Sequence, residues 1–134
     1  MADDPRSSAI VWFCDDLRLA DHPALTAGAR CGTLVCVYVL DEESNGLRPI
    51  GGAARWWLAQ SLRALDRMLR KLGQRLVLRR GQAAETIPAL AREAGATHVY
   101  WNRRYDQPGI AADESVIAAL RSHGVCGGTF PGNL

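Results

Sequence analysis

The chain has 134 residues, of which 48% are hydrophobic and 22% are charged, so it is long enough to form one globular domain with its own core. This composition excludes disordered, collagen-like and membrane-spanning chains, and the polar start at residues 1–8 contains no apolar stretch that would act as a signal peptide. The net charge is +2 and the 16 basic residues form no tail, which is too weak a signal to predict nucleic-acid binding by this segment.

Strands and helices are predicted to alternate along the whole chain. In order, we expect strand Ala9 to Phe13, helix Pro23 to Arg30, strand Thr33 to Leu40, helix Ala53 to Leu72, strand Arg75 to Leu78, helix Ala84 to Ala94, strand Thr97 to Trp101, helix Ile110 to His123 and strand Val125 to Phe130. The first two strands are continuously apolar, as is typical of parallel strands covered on both faces. The alternation predicts an α/β fold with a Rossmann-like, doubly wound, five-stranded parallel sheet.

The longest helix carries a stripe of leucines. They recur at spacings of three and four residues, which places on one face Leu58, Leu62, Leu65, Leu69 and Leu72. We expect the first four to be buried against the sheet. Pro88 is expected in the first turn of its helix or at a kink, because proline lacks the amide hydrogen that a helix interior needs. Left-handed helix ends are expected at Gly73, Gly95 and Gly124.

A ligand site is expected beyond the carboxyl ends of the strands, where doubly wound sheets bind their ligands. The polar segments there are Cys14 to Arg18, Asp41 to Gly52 and Asn102 to Gly109. Asp16 and Arg18 are predicted to structure the first of these loops through hydrogen bonds and an ion pair. For Arg55, near the start of the long helix, contact with an anionic ligand and plain solvation are both open.

The sequence contains few signs of other chemistry. The four cysteines form no CxxC pair, so we expect free buried thiols, no metal site and a reducing, cytoplasmic environment. The three histidines are isolated, and neither a GxGxxG motif nor a Walker loop is present. Core or interface packing is predicted for the four tryptophans, which are Trp12, Trp56, Trp57 and Trp101.

The run after the first strand resembles the opening signature of the DNA photolyase and cryptochrome family, which reads W-F-R-x-D-L-R-L-x-D-N-x-A-L. Here it reads Trp12-Phe13-Cys14-Asp15-Asp16-Leu17-Arg18-Leu19-Ala20-Asp21-His22-Pro23-Ala24-Leu25. The resemblance continues through Val39-Leu40-Asp41, Gly52-Ala53-Ala54-Arg55-Trp56-Trp57-Leu58, Val99-Tyr100-Trp101-Asn102-Arg103-Arg104-Tyr105 and Phe130-Pro131-Gly132-Asn133-Leu134. It therefore spans nearly the whole chain in the family's order.

This resemblance implies that residues 1–134 are an N-terminal domain for a light-harvesting chromophore. The helical domain that holds FAD in full-length relatives is absent from these residues. The parent would repair cyclobutane pyrimidine dimers in damaged DNA with blue light, and the isolated domain would not be catalytic. The alternatives are a cryptochrome photoreceptor without repair activity and a free-standing Rossmann-like nucleotide-binding protein. Neither a membrane nor a metal is expected as a partner.

By resemblance to deazaflavin-binding members, the chromophore pocket is assigned to Val39, Leu40, Asp41, Arg55, Asn102, Arg104 and Asp106. Folate-binding members carry an Asn-Glu pair where this sequence has Pro108 and Gly109. The resemblance therefore favours a deazaflavin or FMN over a folate, and it assigns FAD to the full-length parent only.

Overall fold

The computed structural model describes residues 8–14, 16–42 and 51–131. Its elements are β1 (Ser8–Phe13), α1 (Pro23–Gly28), β2 (Thr33–Leu40), α2 (Gly52–Lys71), β3 (Leu76–Arg80), α3 (Ala83–Ala94), β4 (His98–Asn102), α4 (Gln107–Ser122) and β5 (Cys126–Phe130). The polar start at residues 1–7 and the last three residues of the family motif lie outside the described residues. Every predicted strand and helix is present; the bounds of β2 are as predicted, and other ends differ by at most three residues.

The five strands form one parallel sheet in the order β3-β2-β1-β4-β5. From the central strand β1 the chain adds β2 and β3 on one side, then crosses to the other side for β4 and β5. The strand order therefore reverses between β1 and β4, and the doubly wound prediction is confirmed. A ligand crevice in such a sheet is expected at the carboxyl ends of these two strands.

Helices cover both faces of the sheet. Under α3 and α4 the core contains Ile10, Trp12, Val37, Val99, Trp101, Ile87, Leu90, Val116 and Leu120. Under α1 and α2 it contains Val11, Phe13, Cys36, Tyr100, Ala24, Leu65 and Leu69. Successive β1 side chains alternate between these two clusters, as a strand geometry requires. Burial on both sides explains why β1 is apolar at nearly every position.

The leucine stripe of α2 is only partly buried. Leu65 and Leu69 are fully buried, whereas Leu58 and Leu62 are half-buried and Leu72 is 64% exposed. Leu62 lies over the edge of the sheet beside Leu76 and Leu78 of β3, where no further strand covers it. Leu72 is the residue that ends the helix, outside the helical conformation. The expectation of four buried leucines therefore holds for the C-terminal half of the stripe and is wrong for Leu58 and Leu62.

Three further local predictions can be compared with the structure. Gly73, Gly95 and Gly124 have φ angles of 80°, 65° and 72°, so the predicted left-handed helix ends are confirmed. Pro88 was expected in the first turn of its helix or at a kink; it is buried inside α3, beyond the first turn, so the first of these two positions is wrong. Three of the cysteines are buried as expected, but Cys126, at the start of the edge strand β5, is exposed. An edge strand has no neighbour to cover it on one side.

The tryptophans divide into two pairs. Trp12 and Trp101 are buried in the core, with ring centroids 5.2 Å apart. Trp56 and Trp57, in the first turns of α2, are 57% and 65% exposed and meet edge to face. Core packing is therefore confirmed for the strand tryptophans alone.

Candidate functional site

A buried polar cluster occupies the point where the strand order reverses. Asn102, the last residue of β4, donates a hydrogen bond from its amide Nδ2 to Oδ2 of Asp16 in the loop after β1. The Oδ1 of Asn102 accepts a hydrogen bond from the backbone N–H of Ala24 in α1, at 3.2 Å. Asn102 is therefore buried with both ends of its amide engaged, and it ties β4 to the β1 loop and to α1.

His22 completes this cluster from the start of α1. Its Nδ1 accepts a hydrogen bond from the backbone N–H of Leu25 at 3.1 Å, so the imidazole caps the helix. Its Nε2 lies 3.6 Å from Oδ2 of Asp16, and the ring packs against Phe13. His22 is 2% exposed, so a histidine that looked isolated in the sequence is in fact a buried capping residue.

The environment of Asp16 favours its ionised form. Burial alone would raise the pKa of this carboxyl group, but the interaction with His22 and the hydrogen bond from Asn102 outweigh burial and lower the pKa below its usual value. The site therefore presents a carboxylate at the reversal point of the sheet.

Arg18 organises the loop that leads into α1. Its Nε donates to the carbonyl of Ala20 and its Nη2 to the carbonyl of Asp21, each at 3.0 Å. These contacts replace the carboxylate pair expected from the sequence. Asp21 has a φ of +50°, the left-handed region that most side chains avoid, and the Arg18 bond to its carbonyl holds this turn.

Arg104, after β4, is fixed by four contacts. Its Nη2 and Nε lie 2.7 and 3.0 Å from Oδ1 of Asp113 in α4, and its guanidinium stands 5.1 Å from the centre of the Trp12 ring. The backbone N–H of Arg104 also donates to Asp113, at 3.2 Å. Both charged side chains are largely buried, so this ion pair attaches the loop after β4 to α4.

Two further predicted pocket residues lie near the starts of two different helices. Asp41, after β2, accepts a hydrogen bond from the backbone N–H of Ala83 at 3.0 Å and so satisfies the start of α3. Asp106 is the exposed residue at which α4 begins. Asp41 therefore holds the start of α3, whereas the side chain of Asp106 makes no capping hydrogen bond to α4.

The side of the crevice nearest α2 contains an exposed cation next to an apolar strand end. Arg55 donates to both carboxylate oxygens of Glu42, at 2.7 and 2.8 Å, and its side chain remains 44% exposed. Val39 is buried and Leu40 is half-buried at the end of β2. On this side of the crevice, Arg55 therefore offers a polar group that solvent can reach, and Leu40 offers an apolar side chain that is partly accessible.

Three partners that hold these side chains were not predicted from the sequence, namely His22, Glu42 and Asp113. A signal was available for two of them. Asp113 lies on the same helical stripe as the buried Val116 and Leu120, where an acid needs a cation. His22 directly precedes a proline at the first position of a helix, where a cap is expected. Glu42 carried no such signal.

The family profile described as DNA photolyase matches residues 9–134 of this sequence. The chain belongs to the DNA photolyase family. Among curated relatives, the deoxyribodipyrimidine photo-lyase of Agrobacterium fabrum is 46% identical over 125 residues, which cover 93% of this chain and 26% of that protein. Cryptochrome-1 of Arabidopsis thaliana is 33% identical over 127 residues, which cover 94% of this chain and 19% of that protein.

Solved photolyase structures share the fold. A bacterial class III photolyase from Agrobacterium tumefaciens has a TM-score of 0.85 and 42% identity, and the match covers 94% of this chain and 26% of that one. An archaeal photolyase from Sulfolobus tokodaii, described as containing two FAD molecules and implying a novel light-harvesting cofactor, has a TM-score of 0.81 and 25% identity. That match covers 92% of this chain and 29% of the archaeal chain. This photolyase-family chain thus spans about a quarter of the length of these photolyases.

Two absences hold for the part of the chain that the structure describes. No helix there is long and apolar enough to cross a membrane. Nor do the described side chains include a group of three or more histidines, cysteines and acids that could hold a metal ion.

Proposed function

We propose that this chain is the N-terminal antenna domain of a DNA photolyase whose full-length parent uses blue light and FAD to repair cyclobutane pyrimidine dimers. The observation that carries the proposal is the photolyase match over residues 9–134, together with 46% identity to a bacterial photolyase. Under this proposal FAD and damaged DNA bind mainly to a helical domain of the parent, and residues 1–134 collect light for it.

The proposed chromophore pocket lies beyond the carboxyl ends of β1, β2 and β4. Its predicted lining divides into two groups by what the side chains already contact. Asn102, Arg104 and Asp41 are held by partners within the protein, so we assign them to shaping the pocket. Arg55 and Leu40 are assigned to the chromophore itself, the former to a polar or anionic edge and the latter to the ring face.

A flavin or deazaflavin fits these residues better than a folate does. Pro108 is in the first turn of α4, where it offers no amide hydrogen, and Gly109 is buried with no side chain. A side chain at Gly109 would overlap Arg104 and Asp106, so this part of the pocket has no room for the glutamate that folate-binding members place there. The archaeal photolyase with two FAD molecules supports a flavin in this role. Once bound, the chromophore would supply light absorption.

The test of the pocket is a titration of the purified chain with FMN, a deazaflavin and a reduced folate, followed by fluorescence. We expect the flavins to bind more tightly than the folate, and Arg55→Ala to weaken flavin binding about tenfold or more, as for the loss of a hydrogen bond to a charged group. Arg121→Ala, an exposed arginine at the far end of α4, is the matched control and should leave binding unchanged. Tightest binding of folate, or equal effects of the two variants, would contradict the assignment.

A cryptochrome without repair activity is the second candidate for the parent, supported by the 33% identity to a plant cryptochrome. Light-dependent loss of thymine dimers, measured with the full-length parent, separates the two. The 134-residue chain assayed alongside should show no repair. Repair by the short chain itself would contradict the assignment of catalysis to a helical domain of the parent.

A further inference from the structure

Basic residues are concentrated in one segment, although the net charge of the chain is small. Residues 55–80 contain eight of the 16 basic residues and one of the 14 acidic residues, so this segment carries +7 and the rest of the chain −5. The segment consists of most of α2, the following turn and all of β3. The net charge of +2 therefore conceals a strong separation of charge.

The fold places most of these cations on one side of the molecule. Arg63, Arg67 and Lys71 follow one another at intervals of four residues on the solvent side of α2, opposite the buried Leu65 and Leu69. Alternation along β3 puts Arg80 on the same sheet face as Leu76, which packs against the core under α2. We define the basic face by its exposed members, which are Arg63, Arg67, Arg70, Lys71, Arg75 and Arg80.

Few acidic groups neutralise this basic face. Asp66 is the acid within the segment; its Oδ1 accepts the backbone N–H of Leu76 and its Oδ2 lies 2.8 Å from Nε of Arg70. These contacts lower the pKa of Asp66, and the hydrogen bond from the backbone N–H of Leu76 contributes most to the shift. Among the residues described, the other five members of the basic face form no ion pair. Within the described part of the chain, Arg63, Arg67 and Lys71 of α2 and Arg80 of β3 thus have no ion-pair partner. Arg75, in the turn between the two elements, interacts electrostatically with Asp66 without a direct ion pair.

We propose that the basic face binds the phosphate backbone of duplex DNA and so provides a second DNA contact, apart from any contact made by a helical domain. Guanidinium groups pair with phosphate oxygens through two parallel hydrogen bonds, and backbone contacts of this kind position a protein without reading sequence. The choice of DNA among polyanions rests on the proposed photolyase function. Binding by the basic face would keep the protein on undamaged DNA while it searches for the lesion.

A membrane surface is a poorer match for the same charges. A basic helix that lies on a membrane must insert its apolar face among the lipid chains. The apolar face of α2 is instead packed against the sheet through Leu65 and Leu69, which are fully buried. The cations of α2 are therefore available to a polyanion, whereas Leu65 and Leu69 are not available to lipid chains.

The experiment measures binding of the 134-residue chain to an undamaged 20-base-pair duplex in the dark, by fluorescence anisotropy at several salt concentrations. Five phosphate contacts predict a log–log slope of about −4.5, or roughly 500-fold weaker binding at 200 mM than at 50 mM salt. The double variant Arg63→Gln, Arg67→Gln should reduce the slope by about two. The matched control is Arg92→Gln, Arg121→Gln, which removes the same charge from α3 and α4.

The outcomes separate this proposal from its alternatives. An equal loss in the control pair would show that overall charge governs binding and would overturn the basic face as a site, as would a slope near zero. Tighter binding to phosphatidylserine vesicles than to DNA, lost in the Arg63 and Arg67 variant, would assign the face to membranes instead. Because the assay needs neither light nor a lesion, its failure leaves the repair assay of the parent as an independent test of photolyase function.

Discussion

Replacing Leu65 by alanine should destabilise this domain far more than the same replacement at Leu62, one turn earlier. Both residues belong to the leucine stripe of α2, and the sequence pattern does not distinguish them. The structure does, since Leu65 is fully buried whereas Leu62 is half-buried at the edge of the sheet. Both variants replace leucine by alanine inside α2, so the change in intrinsic helix propensity is the same in both.

The magnitude follows from what each substitution exposes. Leucine to alanine removes three carbon atoms, worth about 2.4 kcal/mol of transfer free energy at roughly 0.8 kcal/mol for each buried methylene. At Leu65 a cavity enclosed by the core adds to this loss, so we expect about 3 to 5 kcal/mol. At Leu62 about half of the transfer term applies and solvent fills the gap, so we expect about 1 kcal/mol.

Urea denaturation monitored by circular dichroism measures both free energies of unfolding. An unchanged dependence on urea would show that the compactness of the two states is preserved. If the two variants lose the same free energy, or if Leu65→Ala loses less than about 1 kcal/mol, the packing of α2 against the sheet is not as described. Leu69→Ala, also fully buried, provides a second comparison and should behave like Leu65→Ala.

Three further predictions follow from single sites. The lowered pKa of Asp16 means that its ionised form stabilises the fold above the usual pKa of about 3.8, and this contribution is lost as pH falls through the lower folded-state value. The stability gap between the wild type and Asp16→Asn should therefore shrink between pH 7 and pH 3 in urea melts, and a constant gap would contradict the assignment. Cys14, Cys31 and Cys36 are buried, and burial raises the pKa of Cys36 to about 12. A thiol reagent at pH 8 should therefore react quickly with the exposed Cys126 alone, and with all four cysteines after unfolding. A second fast-reacting thiol in the folded chain would refute this. Gly28→Ala should cost about 1 to 3 kcal/mol despite alanine's better helix propensity, because the added methyl group would overlap the buried Val11; thermal melts test this, and a stabilised variant would show that Val11 yields.

The contacts of the described site bear on how a chromophore would bind to this domain. Several side chains of the proposed chromophore pocket already have partners in the domain, such as Asn102 with Asp16 and Arg104 with Asp113. These side chains would hold their positions before a ligand binds. Preorganisation of this kind reduces the entropy lost on binding and favours a rigid ring system.

The sequence by itself determined the class of the fold and the family. The alternation of apolar strands with amphipathic helices is a local pattern, so the order of elements was readable, and the bounds of β2 were predicted without error. The glycines that end three helices were also predictable, because a left-handed φ is a property of single residues. The photolyase resemblance depended on runs of neighbouring residues in the same way.

Only the tertiary structure decided which side chains meet. Asp16 and Asn102 are separated by 86 positions, and Arg55 and Glu42 by 13, so no local periodicity relates them. The burial of α2 depends on how far the helix extends over the edge strand, which sets Leu62 apart from Leu65 although both fit the same stripe. The basic face likewise combines helix and strand residues that are brought together by the packing of α2 on β3. Contacts of this kind arise from the closure of long loops and the docking of whole elements, and a reading of neighbouring residues contains no information about either.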